Sequence, residues 1–326
     1  MKTYLPIIVV VALLAAVPSF TTSNVVLNFL VTALLIALAG QGWNLLGGYG
    51  GQYSFGHAAF FGTAAYATAI LQVRYGVNAW LGLFIGTAAG ALVGAAIGAL
   101  TFRSGLRGSY FSLVTLAFAE VLRIVASVAP ITGAGVGMLI PLDLHAQAFQ
   151  FQSRVPFYFI ALALVALSLL VVRAIENSRF GAYLAAVREN EDAASALGVD
   201  AFSVKLCAIT ISAAITAAAG CFYAQYFLFI DAGIAYGPWI SIDALLAPIV
   251  GGAGTVFGPL LGALAIKTLG ETTKLVAADA PGLDLVIYGL LLVGVIGLAP
   301  RGIAGLLRTI SRLRPSSGTT LEDSHG

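Results

Sequence analysis

Long apolar runs alternate with short polar interruptions along this chain. Runs at residues 5–20, 25–46, 54–71, 79–102, 108–128, 155–172 and 204–229 predict seven long helices. Two shorter runs, 240–250 and 257–269, predict a pair of short helices, and 283–298 predicts a last long one. The long runs cover about 16–25 residues, which suits membrane helices and not the ~10-residue alternating strands of a barrel. The expected fold is an all-α polytopic integral membrane bundle, with about eight full spans and a pair of short or broken helices.

Composition agrees. Sixty per cent of the 326 residues are hydrophobic, mean hydropathy is +0.98, and only 9% are charged, against about 25% in an ordinary soluble domain. The 38 glycines suit helices that approach closely in lipid. Cys207 and Cys221 fall on one predicted helix, roughly 21 Å apart at ~1.5 Å per residue, and cannot bridge.

Charge sets the expected orientation. With the N-terminus inside, Lys2, Arg103, Arg107, Arg173, Arg179, Arg188, Lys205, Arg301, Arg308, Arg312 and Arg314 lie on the cytoplasmic side. Arg74, Arg154, Lys267 and Lys274 fall outside, and Arg123 lies within a span. Inverting the arrangement reverses an eleven-to-four bias. The first run also fits the apolar core of a signal peptide, but a first membrane helix is the expectation. Residues 1–314 read as one membrane domain and 315–326 as a disordered cytoplasmic tail.

Two glycine-rich interruptions look alike. "GGYGGQYSFGHAAFFGTAAYATA" begins at Gly47 and "GGAGTVFGPLLGALA" at Gly251. Each places a GGxG break after an apolar helix, then resumes with Phe-Gly and small residues. Glycine-rich helices can resemble one another by chance. Read functionally, they are discontinuous helices in corresponding halves, whose free ends offer polar groups inside the bilayer. Candidate path residues are therefore Gln52, Tyr53, Ser54, His57, Gly251, Gly252 and Gly254, with Glu120 and Asp243 as intramembrane acids. Each has a plainer reading. His57 and its polar neighbours can cap freed carbonyls, Glu120 can pair with Arg123 three residues on, and Asp243 can cap the second short helix. Tyr110 and Phe111, beside Arg107, fit an interfacial anchor.

None of the four lysines follows a glycine, so the nucleotide-binding G-K-[ST] element is absent. No nucleophile–base set is recognisable, no cofactor is implied, and no nucleic-acid partner is expected.

"RENEDAASALGVD", residues 188–200, carries five charges in thirteen residues. Apolar or small residues recur from Phe180 through Leu184, Val187, Ala194 and Leu197, and Gly198 fits a helix stop. The expectation is one amphipathic helix over 181–197, about 25 Å long, within a cytoplasmic segment 173–205. It is either a solvated connector or a helix that docks into a partner's groove.

"ENEDAASALG" (189–198) resembles the coupling loop of bacterial ABC importer permeases, matching at Glu191, Ala193, Ala194 and Gly198, with Asp192 intervening. "GAYLAAVRENE" (181–191), "GGYGGQYSFGHAAFFGTAAYATAIL" (47–71), "LRGSYFSLVTLAFAEVLR" (106–123) and "GGAGTVFGPLLGA" (251–263) resemble the branched-chain amino-acid permease family, and its LivM-type rather than LivH-type subunits. The resemblance covers nearly the whole chain. It implies half of an importer pore in a bacterial inner membrane, with both termini cytoplasmic. The implied partners are two ABC ATPase subunits, a LivH-like permease and a periplasmic substrate-binding protein. The ATPase contact is expected at Arg188, Glu189, Glu191, Ala193, Ala194 and Gly198. "ITGAGVGM" (131–138) departs from the family's external element by lacking Asn or Asp, so the substrate stays open among branched-chain amino acids, other amino acids, urea and amides. An ion-gradient-driven secondary transporter is the alternative.

Overall fold

The computed structural model describes residues 4–21 and 23–276 and, beyond them, 286–287, 289–290, 293–294, 297 and 302–305. The expected last span, the tail and Lys2, Arg301, Arg308, Arg312 and Arg314 fall wholly or largely outside the described residues.

Twelve helices occur among the described residues: α1 (Leu5–Phe20), α2 (Asn24–Trp43), α3 (His57–Tyr75), α4 (Ala79–Arg103), α5 (Gly108–Val128), α6 (Arg154–Glu176), α7 (Arg179–Glu189), α8 (Glu191–Ala196), α9 (Ala201–Phe227), α10 (Ala232–Ala235), α11 (Pro238–Gly251) and α12 (Gly258–Val276). A wider π-helical turn, Asn44–Tyr49, extends α2. Side chains written in the sequence mark several starts. Asn78, Ser153, Ser178 and Asp200 each accept a bond from a backbone N–H of the helix they precede, as capping residues do.

Among the described residues, six stretches are long and apolar enough to cross a bilayer: Asn24–Tyr49, Ala79–Arg103, Gly108–Val128, Arg154–Glu176, Ala201–Phe227 and Ala232–Gly251. The chain is a multi-pass, all-α membrane bundle. At 16 residues, α1 is about 24 Å long, short of the ~30 Å hydrocarbon core. The expected run 257–269 is one end of a longer helix, α12, of which Lys267 is the tenth residue.

Helix α2 is the axis of the bundle. Its residues from Ala33 to Trp43 are all buried, against α6, α9, α11 and α12. Helices α3, α4 and α9 form a second tight group. The α4 glycines Gly82, Gly86, Gly90, Gly94 and Gly98, four residues apart, make one smooth stripe. A Cβ at Gly90 would lie 2.5 Å from the Ala217 Cβ, and one at Gly94 2.2 Å from the Ala213 Cβ. The stripe is what lets the two backbones meet.

One end of the bundle carries a short antiparallel pair, Met138–Leu139 (β1) with Phe229–Ile230 (β2). Arg74 donates there to the carbonyls of Pro130 and Ile131. The opposite end carries α7, α8 and both glycine-rich breaks.

Candidate functional site

The two breaks meet. After α2 and its wide turn, residues 50–56 run back in non-helical conformation before α3 begins at His57, and residues 252–257 do the same between α11 and α12. Asn44, fully buried, holds them together. Its Nδ2 donates to the Thr255 carbonyl at 2.9 Å, and its Oδ1 accepts from the Gly254 N–H at 2.8 Å. Gln41, one turn earlier, donates to the Val256 carbonyl at 2.9 Å. The backbones come so close that a Cβ at Gly48 would lie 2.5 Å from the Gly254 nitrogen. An amide side chain suits this place because it offers donor and acceptor together to the freed groups of a helix break.

Further bonds hold the first break. Trp43 Nε1 donates to the Ser54 carbonyl at 2.8 Å, and the Phe55 N–H donates to Thr115 Oγ1 at 3.2 Å. Ser112 Oγ donates to the Tyr53 carbonyl. The Ala58 N–H, in the first turn of α3, donates to Ser241 Oγ of α11 at 2.9 Å.

The path candidates separate. Ser54 and His57 are fully buried, Gln52 is half-buried and Tyr53 is exposed. His57 Nε2 lies 3.0 Å from Ser212 Oγ, whose hydroxyl donates to the Gly42 carbonyl at 2.7 Å. With that hydroxyl proton committed, His57 Nε2 is the donor to serine. This bridge ties α3 to α9 and α2. Asp243 is the sixth residue of α11, and the N-cap position is Gly237. The capping role expected for Asp243 is therefore not available to it. Instead it is half-buried within the stretch Ala232–Gly251. Arg123 grips Glu120 with two bonds, 2.9 and 2.6 Å, on the open side of α5, away from the breaks' bonds. Gly251 and Gly252 are buried where α11 ends, and a Cβ at Gly251 would lie 1.7 Å from the Gly258 carbonyl.

The charged segment is two helices rather than the single one expected over 181–197. Asn190 is extended (φ −158°, ψ 105°) and its Oδ1 caps α8 by accepting from the Ala193 N–H at 2.9 Å. Asparagine favours that capping position, and Glu191 and Asp192 behind it suit the positive end of a helix. Gly198, at φ +88°, ends α8 in the left-handed conformation that glycine adopts freely.

Leu184, Val187 and Ala194 face inward with Ala201 and Val204. Glu191 also turns inward, to Lys205 Nζ at 2.6 Å and Arg107 Nε at 3.3 Å. The Lys205 side chain is only 3% exposed and sits 5.0 Å over the Phe102 ring. Asp192 binds Arg107 at 3.0 Å. That bond and the nearby acids raise the Arg107 pKa, and the same bond holds the Asp192 carboxyl below its ordinary range. Glu189, Ala193, Ser195, Ala196 and Gly198 remain exposed, and Leu197 is 87% exposed. Arg188 turns the other way. Its Nη1 donates to the Gly48 carbonyl at 3.1 Å, and its Nε and Nη2 reach Glu189.

Sequence reasoning missed Asn44, Gln41, Lys205 and Arg107. Two amides near the end of an apolar run were the available signal, since polar side chains in a span carry a function or a partner.

Comparison with known proteins follows this geometry. The family described as "Branched-chain amino acid transport system / permease component" matches residues 25–296. The high-affinity branched-chain amino acid transport system permease protein LivM of Escherichia coli K12 is 28% identical over 94% of this chain and 76% of its own length. The Salmonella typhimurium LivM protein is 27% identical over 90% of this chain and 73% of its own. A probable LivM permease of Methanocaldococcus jannaschii is 25% identical over 78% of this chain and 76% of its own. No solved structure matches. With the family covering residues 25–296 and LivM proteins aligning along most of the chain, this protein belongs to the branched-chain amino-acid ABC transporter permeases, of the LivM type.

Proposed function

We propose that this chain is the membrane subunit of an ATP-driven importer of branched-chain or related amino acids and forms half of its translocation path. Two ABC ATPases dock below α7 and α8, a LivH-like permease lies alongside, and a periplasmic binding protein delivers substrate to the opposite end. The membrane is a bacterial inner membrane, with both termini cytoplasmic.

The observation that carries this reading is the two-faced charged segment. One face of α7–α8 is anchored through Leu184, Val187, Ala194, Glu191 and Arg188, while Ala193, Ser195, Ala196 and Leu197 stand free. A connector needs only a few residues. A braced pair of helices with an exposed leucine is suited to a partner's groove.

Helix α5 supports the second permease. Leu113, Val121, Ile124, Val125 and Val128 are exposed, and Glu120 and Arg123 sit among them with side chains 45% and 34% exposed. Charges facing hydrocarbon cost about 3 kcal/mol or more each, so this face suits a protein neighbour or a water-filled path. The same intramembrane charges, with Asp243 and Lys267, favour the alternative of a gradient-driven carrier.

Tagged chain is to be isolated from its host in mild detergent, with partners identified by mass spectrometry and ATP hydrolysis assayed. Two ATPases and a second permease are expected, and Leu197→Asp is expected to lose the ATPases and keep the permease. A chain that purifies alone even after cross-linking, with uptake that collapses when the ion gradient is removed while ATP remains, would establish the carrier instead.

A further inference from the structure

The bonds at this end of the bundle form a continuous chain from the charged segment to both helix breaks. Arg188, on the last turn of α7, donates to the Gly48 carbonyl. Its Cγ lies where a Cβ on Gly51 would come within 2.5 Å, and Leu184 lies 3.1 Å from the corresponding point on Gly50. The first break thus meets α7 at three places, Gly48, Gly50 and Gly51. Gly48 in turn abuts Gly254, and Asn44, one turn before Gly48, holds Gly254 and Thr255 through two bonds. Both ends of Asn44 are committed to the second break, and Gln41 adds a third bond to it at Val256.

This arrangement has mechanical consequences. Breaks free their backbone groups from helical bonding, so the groups can exchange partners with little repacking. The second break is joined to the charged segment through Asn44, whereas the first is gripped directly. A displacement of α7 that pulls Arg188 away removes the support beneath Gly48, and the Asn44 and Gln41 bonds then hold the second break without it. The Arg188 side chain is 42% exposed, but its guanidinium turns toward the breaks and bonds the Gly48 carbonyl, so its part is distinct from the free face of α8.

We infer that Arg188 is a positioning residue for transport: it ties α7 to a latch in which Asn44 clasps the two helix breaks together, so that movement of α7 opens both breaks at once. The inference rests on the importer reading for the origin of that movement. The latch itself stands on the geometry alone.

Two readouts test it. Val256 is buried beside the latch, so Val256→Cys reports opening through its reaction with a water-soluble thiol reagent. The exposed Cys207 is replaced by serine, and Cys221 is buried. In the full chain purified in detergent, Arg188→Ala and Asn44→Asp are each expected to raise the labelling rate about tenfold, the effect of losing one hydrogen bond. In the assembled transporter in proteoliposomes, both variants are expected to lower solute taken up per ATP hydrolysed by about tenfold. Arg188→Lys, which keeps the charge and a donor group for the Gly48 carbonyl, is expected to restore the ratio to within about twofold. A merely structural role would lower uptake and hydrolysis together and leave their ratio unchanged. Unchanged labelling in both variants would overturn the latch. Raised labelling with an unchanged ratio would overturn its role in transport. If the wild-type chain brings no ATPase with it, the importer reading fails, and the labelling result still decides the latch.

Discussion

The two glycine-rich breaks share a sequence pattern but not a set of attachments. The break after α2 is held on every side: Trp43 bonds Ser54, Ser112 and Thr115 bond the returning strand, and Arg188 bonds Gly48. Among the described residues, the break after α11 has two local bonds, Thr255 Oγ1 to the Gly252 carbonyl and the Gly252 N–H to the Pro248 carbonyl, both at 2.7 Å, and is bonded further by Gln41 and Asn44 of α2 and its wide turn. One break is therefore a fixed seat and the other a follower. Similar local sequence produces the same interruption, and the tertiary neighbours decide which half receives force from α7.

Substitutions can break this comparison in order of size. Asn44→Leu strands a part-buried N–H and a part-buried carbonyl of the second break, and should cost about 2–4 kcal/mol, read from thermal unfolding in detergent. The first break should keep its own bonds, so hydrogen exchange should rise mainly over residues 252–257. Gly48→Ala forces a methyl against Gly254 and should cost about 1–3 kcal/mol through overpacking. Its counterpart Gly254→Ala meets nothing closer than 3.2 Å but sits at φ +72°, and should cost about 1 kcal/mol. If Gly254→Ala proves the more damaging of the two, the seat-and-follower distinction is wrong. Thr255→Val removes only one local bond of the second break and should cost less than about 1 kcal/mol.

The smallest effect concerns α8. Arg107 holds the Asp192 carboxyl below its ordinary range, chiefly through their hydrogen bond. A depressed folded value means the tie contributes above the unfolded pKa and is lost as pH falls through the folded one. Between pH about 7 and about 5, hydrogen exchange in α8 should be unchanged. Faster exchange there should begin only below the usual carboxylate range.

The breaks themselves were legible, because GGxG followed by Phe-Gly interrupts two apolar runs. Their meeting was not. Asn44 and Gly254 are 210 residues apart, and no periodicity within either segment encodes that contact. The bend at Asn190 was open to inference from an asparagine followed by two acids, a capping signature. A continuous helix was expected because the apolar spacing runs through it. Glu191 shows a similar limit: charge alone suggested a solvent-facing position, whereas Lys205 and Arg107, each far along the chain, turn it inward. The capping reading of Asp243 failed because α11 starts earlier than its apolar run, at Pro238, a residue preorganised for a first helical position.

The account's central claim is that α8 presents its free face to an ATPase. A photo-crosslinking residue placed at Ser195, exposed on α8, tests it in native membranes, with Leu142, exposed between β1 and α6, as the control. Capture of an ATPase subunit from Ser195 and not from Leu142 is the predicted result. Capture from Leu142 instead, or efficient crosslinking at Ser195 that never includes an ATPase, would contradict it.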